Sequence, residues 1–186
     1  MAMPVAGGLH KVDLAHGAGQ PLVPSGVFHL LIPSDRYYLN GTRFSAHIVD
    51  DNGLEYFLES LLNCPMKTST VCMYLKPEDY QPQEPEWPPS NMYFDVDRER
   101  QLAAIALLAF DKQGNSHQWL TQGEAGRDDV TLIMDPWNPE FKRFPTESVI
   151  TIAQLRGAVR EWAFGDILPP PSLNWRSASE AEVGWQ

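Results

Sequence analysis

Residues 91–121 read NMYFDVDRERQLAAIALLAFDKQGNSHQWLT. Three β-favouring segments, Asn91 to Val96, Gln101 to Phe110 and Ser116 to Thr121, are separated by two turn-forming clusters, Asp97-Arg98-Glu99-Arg100 and Asp111-Lys112-Gln113-Gly114. Connections this short join antiparallel neighbours, so the stretch predicts an antiparallel meander. Leu102 to Phe110 is rich in alanine and a helix competes there, but its brevity and the flanking turns favour a strand.

Upstream, strands are expected at Phe28 to Ile32 and Phe44 to Val49, bounded by Pro33 and Asn40-Gly41. A helix follows, with Asn52 as cap and Glu55 three residues on, and with Leu54, Phe57, Leu58, Leu61 and Leu62 on one face; Pro65 ends it. Thr70 to Leu75 reads as a buried strand, and Lys76 to Ser90, with five prolines and four acids, reads as a surface loop. Downstream, an acidic turn from Glu124 to Asp129 leads into a strand at Val130 to Asp135, closed by Pro136. A helix from Ile152 to Phe164 carries a capping box (Thr151, Gln154), a hydrophobic staple (Ile150, Leu155) and a glycine stop at Gly165. Ile152, Leu155, Val159 and Trp162 form its apolar face, and after Pro169-Pro170-Pro171 a last short strand falls near Leu173 to Trp175. The expected class is α+β: one domain over residues 27–186, a mostly antiparallel sheet with two main helices packed on it. Residues 1–26, rich in Gly, Ala and Pro, are expected to form a flexible or irregular arm.

A chain of 186 residues with 43% apolar composition supports one domain with a hydrophobic core. Its 24 acids against 14 Lys and Arg give a formal charge of -10, which would repel a phosphate backbone and disfavours direct nucleic-acid binding. The same charge suits a basic partner, since complementary fields speed encounter; solubility alone also accounts for it. The two cysteines, Cys64 and Cys72, have no CxxC or Cys/His spacing and read as reduced thiols. The first 26 residues carry no export signal and no apolar run spans a membrane, so a cytoplasmic location is expected.

Catalytic patterns are not found. No Ser or Cys sits in an elbow or triad context, and His10, His16, His29, His47 and His117 are scattered. The H-x-E and P-C-x-x-C pattern of zinc deaminases is missing, and Gly123-Glu124-Ala125-Gly126 carries an acid where a phosphate loop needs bare amides. No cofactor and no metal is expected. Two acid pairs, Asp95 with Asp97 and Asp128 with Asp129, fit general acid/base work only by spacing, and solvated surface is the favoured reading of both. Of the six tryptophans, Trp162 reads as core. For Trp87 and Trp137, flanked by prolines and acids, local packing and partner contact fit equally.

The order Tyr93-Phe94-Asp95-Val96-Asp97-Arg98-Glu99-Arg100, the hairpin to Trp119, the segment from Val130, Phe144-Pro145, Ser148-Val149-Ile150, the helix Leu155-Arg156-Gly157-Ala158-Val159-Arg160-Glu161-Trp162, and Leu173-Asn174-Trp175 together resemble a known family. This is the first-numbered immunity family of bacterial polymorphic toxin systems, usually encoded beside toxins of the deaminase superfamily. The resemblance covers roughly residues 44–176 and leaves out the arm and the 76–90 loop. It implies a small, non-enzymatic α+β protein that binds and blocks a cognate toxin. On that reading the partner-binding residues are Glu78, Asp79, Glu84, Glu86, Trp87, Glu124, Asp128, Asp129 and Trp137, acids and aromatics on predicted loops. The alternatives are a hydrolytic enzyme using an acidic dyad, and a structural or regulatory binding subunit.

Overall fold

The computed structural model describes residues 10–13, 26–31, 44–48, 50–63, 71–77, 90–111, 113–123, 127, 129–134, 142–165 and 168–183. In chain order these form β1 (His10–Asp13), β2 (Gly26–Leu31), β3 (Phe44–Ile48), α1 (Asp51–Leu62), β4 (Val71–Pro77), β5 (Ser90–Asp97), β6 (Leu102–Phe110) and β7 (Ser116–Thr121). A single 3₁₀ turn at Thr146–Ser148 precedes β8 (Ile150–Thr151), α2 (Ile152–Phe164), β9 (Trp175–Ser177) and α3 (Glu180–Val183). The strands make one sheet in the order β1-β3-β2-β4-β5-β6-β7-β9, with β8 pairing the start of β6. Every pairing is antiparallel except β1 with β3. The meander over β5, β6 and β7 is therefore present, and the class is α+β, a mostly antiparallel sheet with two main helices. His10–Asp13 is a strand inside the 1–26 stretch.

Strands β5 and β6 are buried on both faces, which is why neither alternates apolar with polar residues. Met92, Phe94 and Val96 of β5 and Ala103, Ile105 and Leu107 of β6 join α1 and α2 in one core. The residues between them, Tyr93 of β5 with Leu102, Ala104 and Ala106 of β6, join a second core built from Leu120, Val130, Leu132, Met134, Phe144, Val149 and Val183. The alanines follow from this sandwiching: a strand enclosed on both sides has room for small side chains opposite larger ones, with Tyr93 across from Ala106 and Val96 across from Ala103.

Several expected boundaries move. Helix α1 is capped by Asp50, whose Oδ1 accepts from Gly53 N at 2.7 Å, and not by Asn52, which lies within the first turn. Asp50 wins because its side chain stands three residues before a free amide. The apolar face is as read, with Leu54, Phe57, Leu58 and Leu61 buried. The strand expected over Val130 to Asp135 is not formed in its described part, Val130 to Met134, which makes one isolated bridge, Ile133 with Arg143, supported by bonds from Phe144 N to Leu132 O and from Met134 N to Lys142 O. Its apolar residues cover a face of the sheet and do not extend its edge. The last strand begins at Trp175 and not at Leu173.

Helix α2 matches its sequence signature closely. Thr151 Oγ1 accepts from Gln154 N at 3.2 Å and Gln154 Oε1 accepts from Thr151 N at 2.8 Å, so the capping box closes in both directions. Gly165 ends the helix with φ -100°, so its role is not a left-handed turn. A Cβ there would stand 2.4 Å from the Glu161 carbonyl oxygen, and only glycine allows that approach. On the solvent side, Arg156 bonds Glu55 and Glu59, while Arg160 bonds Asp51 and Glu55. These ion pairs tie α2 to α1 across more than ninety residues of sequence.

Where β7 leaves β6 and β8 has not yet begun, Thr121 fills the gap in the ladder. Its Oγ1, wholly buried, accepts from Ile105 N at 3.1 Å and donates to Ser148 O at 2.7 Å. At the opposite end of β6 the β6–β7 turn is organised by Asp111. That carboxylate accepts from the backbone N–H of Gln113 and Asn115 and from the Asn115 side chain. Chiefly through the Asn115 side-chain bond, then the Asn115 backbone bond, the Asp111 carboxyl is lowered to about 2. Its folded value lies below the ordinary carboxylate value of about 3.9. The turn's contribution is thus present above about pH 4 and is lost as pH falls through about 2. Carbon-detected NMR titration is expected to place the Asp111 midpoint near 2 in the native protein and to return it toward 4 in Asn115→Ala. A native midpoint near 4 would contradict this geometry.

Candidate functional site

The β5–β6 connection projects from the end of the sheet where α2 begins. Asp97 shapes it: Oδ1 accepts from Arg100 N at 2.9 Å and Oδ2 pairs with Arg100 Nη1 at 2.9 Å. Gln101 completes the turn with φ 58°, a left-handed conformation uncommon outside glycine, asparagine and aspartate. Two bonds hold it there, one from Gln101 Nε2 to Arg98 O at 2.7 Å and one from Ile152 N to Gln101 O at 3.1 Å. The turn is thereby fastened to the first residue of α2.

A second turn, Arg127–Val130, closes through Val130 N to Arg127 O at 3.1 Å and reaches the same end of the sheet. There Asp129 lies 3.4 Å from Arg100 Nε. Arg100 thus sits between two carboxylates, and the Asp97 hydrogen bond and charge raise its already high pKa. Asp97, Glu99 and Asp129 surround one arginine, and Glu99, Arg100 and Asp129 are exposed.

Beside this knuckle lies a cleft of about 270 Å³ lined by Leu102, Gln122, Gly123, Arg127, Val149, Ile150, Thr151, Gln154 and Asn174. The backbone bonds Gln122 N to Asn174 O (2.8 Å) and Gly123 N to Glu147 O (2.7 Å) draw its walls together. A Cβ on Gly123 would stand 1.7 Å from the Val149 carbonyl oxygen, so glycine is required for that approach.

Of the nine residues predicted to meet a partner, the structure places Asp129, and it joins the β5–β6 turn. Glu78, Asp79, Glu84, Glu86, Trp87, Glu124, Asp128 and Trp137 lie outside the described residues. The acid pairs separate differently from the expectation. Asp95 is not solvated surface: it is wholly buried, with Oδ2 accepting from Ile133 N at 2.7 Å and Oδ1 from Val96 N at 3.0 Å. It therefore joins the sheet to its covering segment. Asp97 is engaged by Arg100. Among the described residues no group of three or more His, Cys, Asp or Glu is placed to hold a metal ion, and no helix is long and apolar enough to cross a membrane.

Sequence reasoning missed Arg127, Gln122 and Asn174. They are single polar residues in irregular stretches, and no spacing rule connects positions 102, 123, 150 and 174. The glycine at 123 was a usable signal, but it was weighed only as part of a phosphate loop. Compared with family models, curated proteins and solved structures, the chain matches none.

Proposed function

We propose that the protein is a cytoplasmic immunity protein that binds a basic, nucleic-acid-modifying toxin domain of the deaminase class and blocks it by occupying its substrate cleft. The observation that carries this reading is the chain's net charge of -10, with Glu99 and Asp129 exposed at one projecting end of the sheet. An enzyme that handles nucleic acid presents cations around its active site, and a strongly acidic inhibitor competes for that field. The family resemblance supports the same reading, although many of its residues have structural duties: Tyr93, Phe94, Asp95, Val96, Leu155 and Trp162 are buried. Occlusion requires no catalytic group on the inhibitor.

The test is binding to the toxin domain encoded by the neighbouring gene, measured by stopped flow at two salt concentrations. Reversing charge at Glu124, Asp128 and Asp129 together is expected to slow association about tenfold or more at low salt, with a smaller effect at high salt and little change in dissociation. Trp137→Ala is expected to act on dissociation instead. Unchanged association in the triple reversal would place the interface elsewhere, and a neighbouring product that does not bind would remove the toxin reading itself.

A further inference from the structure

The cleft beside the β5–β6 turn divides into an apolar floor and a polar rim. Leu102, Val149 and Ile150 form the floor and are at most 4% exposed as residues. Gln122, Arg127, Thr151, Gln154 and Asn174 form the rim, and all five are exposed. Gln154 commits its Oε1 to the α2 capping box. Among the described residues of the lining, Arg127 is the one cation and there is no carboxylate.

Each feature narrows the ligand. A single guanidinium matches a monoanion, bound through two parallel N–H bonds, whereas a phosphate near two negative charges calls for more cations than one. The chain's net charge of -10 works further against a dianion. The described residues of the lining include no aromatic ring, so they offer a base or sugar no stacking surface. Carboxamides at 122 and 174 supply both donors and acceptors, and Gln154 adds a donor, the complement of a peptide backbone. The cleft's volume is below the range of about 300–1,000 Å³ common for drug-sized ligands, and suits one terminal residue.

We propose that this cleft binds the free C-terminal residue of a peptide, with Arg127 pairing the α-carboxylate, the Gln122 and Asn174 amides bonding the last peptide unit, and an apolar terminal side chain resting on Leu102, Val149 and Ile150. This assignment does not depend on the toxin reading, and it adds a second recognition surface beside the β5–β6 turn.

The probe is the tripeptide N-acetyl-Gly-Gly-Leu with a free carboxylate, titrated into ¹⁵N-labelled full-length protein. Saturable shifts at the Gly123 and Asn174 amides at millimolar peptide are expected. Because a charge-assisted pair is at stake, the C-terminal amide of the same peptide is expected to bind about tenfold more weakly or less. Arg127→Gln, an exposed substitution, is expected to abolish that difference while leaving the melting temperature unchanged. Acetate and inorganic phosphate serve as competitors, and neither should displace the peptide at equal concentration. Equal binding of acid and amide, displacement by phosphate or acetate, an unaltered preference in Arg127→Gln, or no saturable shift would each overturn the proposal.

Discussion

Trp162→Ala is expected to lower the unfolding free energy by about 3–5 kcal/mol, the cost of removing a large buried side chain and leaving a cavity. Trp162 is wholly inaccessible, on the α2 face that meets β5 and β6. Its Nε1–H also donates to Ser90 Oγ at 2.9 Å, with both groups buried. Trp162→Phe separates the two contributions, since it keeps most of the apolar volume and removes the donor; a smaller loss of about 1–3 kcal/mol is expected. Typical domains are stable by about 5–15 kcal/mol, so the alanine variant forfeits a large share of the margin. Urea unfolding followed by circular dichroism measures both, and a Trp162→Ala midpoint equal to wild type would contradict the placement of α2.

Asp95→Ala is expected to cost about 2–5 kcal/mol by a different route. The buried carboxylate accepts from the backbone N–H of Ile133 and of Val96, and an unpaired buried donor costs about 1–3 kcal/mol. The damage should be local as well as global. Ile133 belongs to the segment that covers the second core, so amide exchange should rise at Val130 to Met134 before it rises in α2. Asp95→Asn retains an acceptor and is expected to fall between wild type and alanine. Exchange that rose first in α2 would show that Asp95 does not hold the covering segment.

These two residues also mark where sequence reading succeeds and where it stops. Trp162 was legible because helical periodicity is local: Ile152, Leu155, Val159 and Trp162 recur at the spacing of one face, and the capping box fixes where the face begins. Asp95 was misread because a carboxylate in a β segment is normally solvated, and its partner lies 38 residues away in a stretch that resembles a strand. The Val130 to Met134 segment carries β-favouring residues for the same reason a strand does, to bury them against a sheet, but it lies on the face.

The class, the meander, both main helices and the acidic balance are legible without coordinates, because each is written in local patterns or in composition: turn chemistry, periodicity, capping and charge count. Tertiary structure alone decided that β5 and β6 are covered on both sides, that Thr121 stands in for missing ladder bonds, and that Asp129 joins the Asp97–Arg100 turn. It alone brought Leu102, Gly123, Arg127, Ile150 and Asn174 around one cleft. Such contacts arise when distant segments pack, and no local pattern encodes them, since a buried carboxylate and a solvated one are written with the same letter.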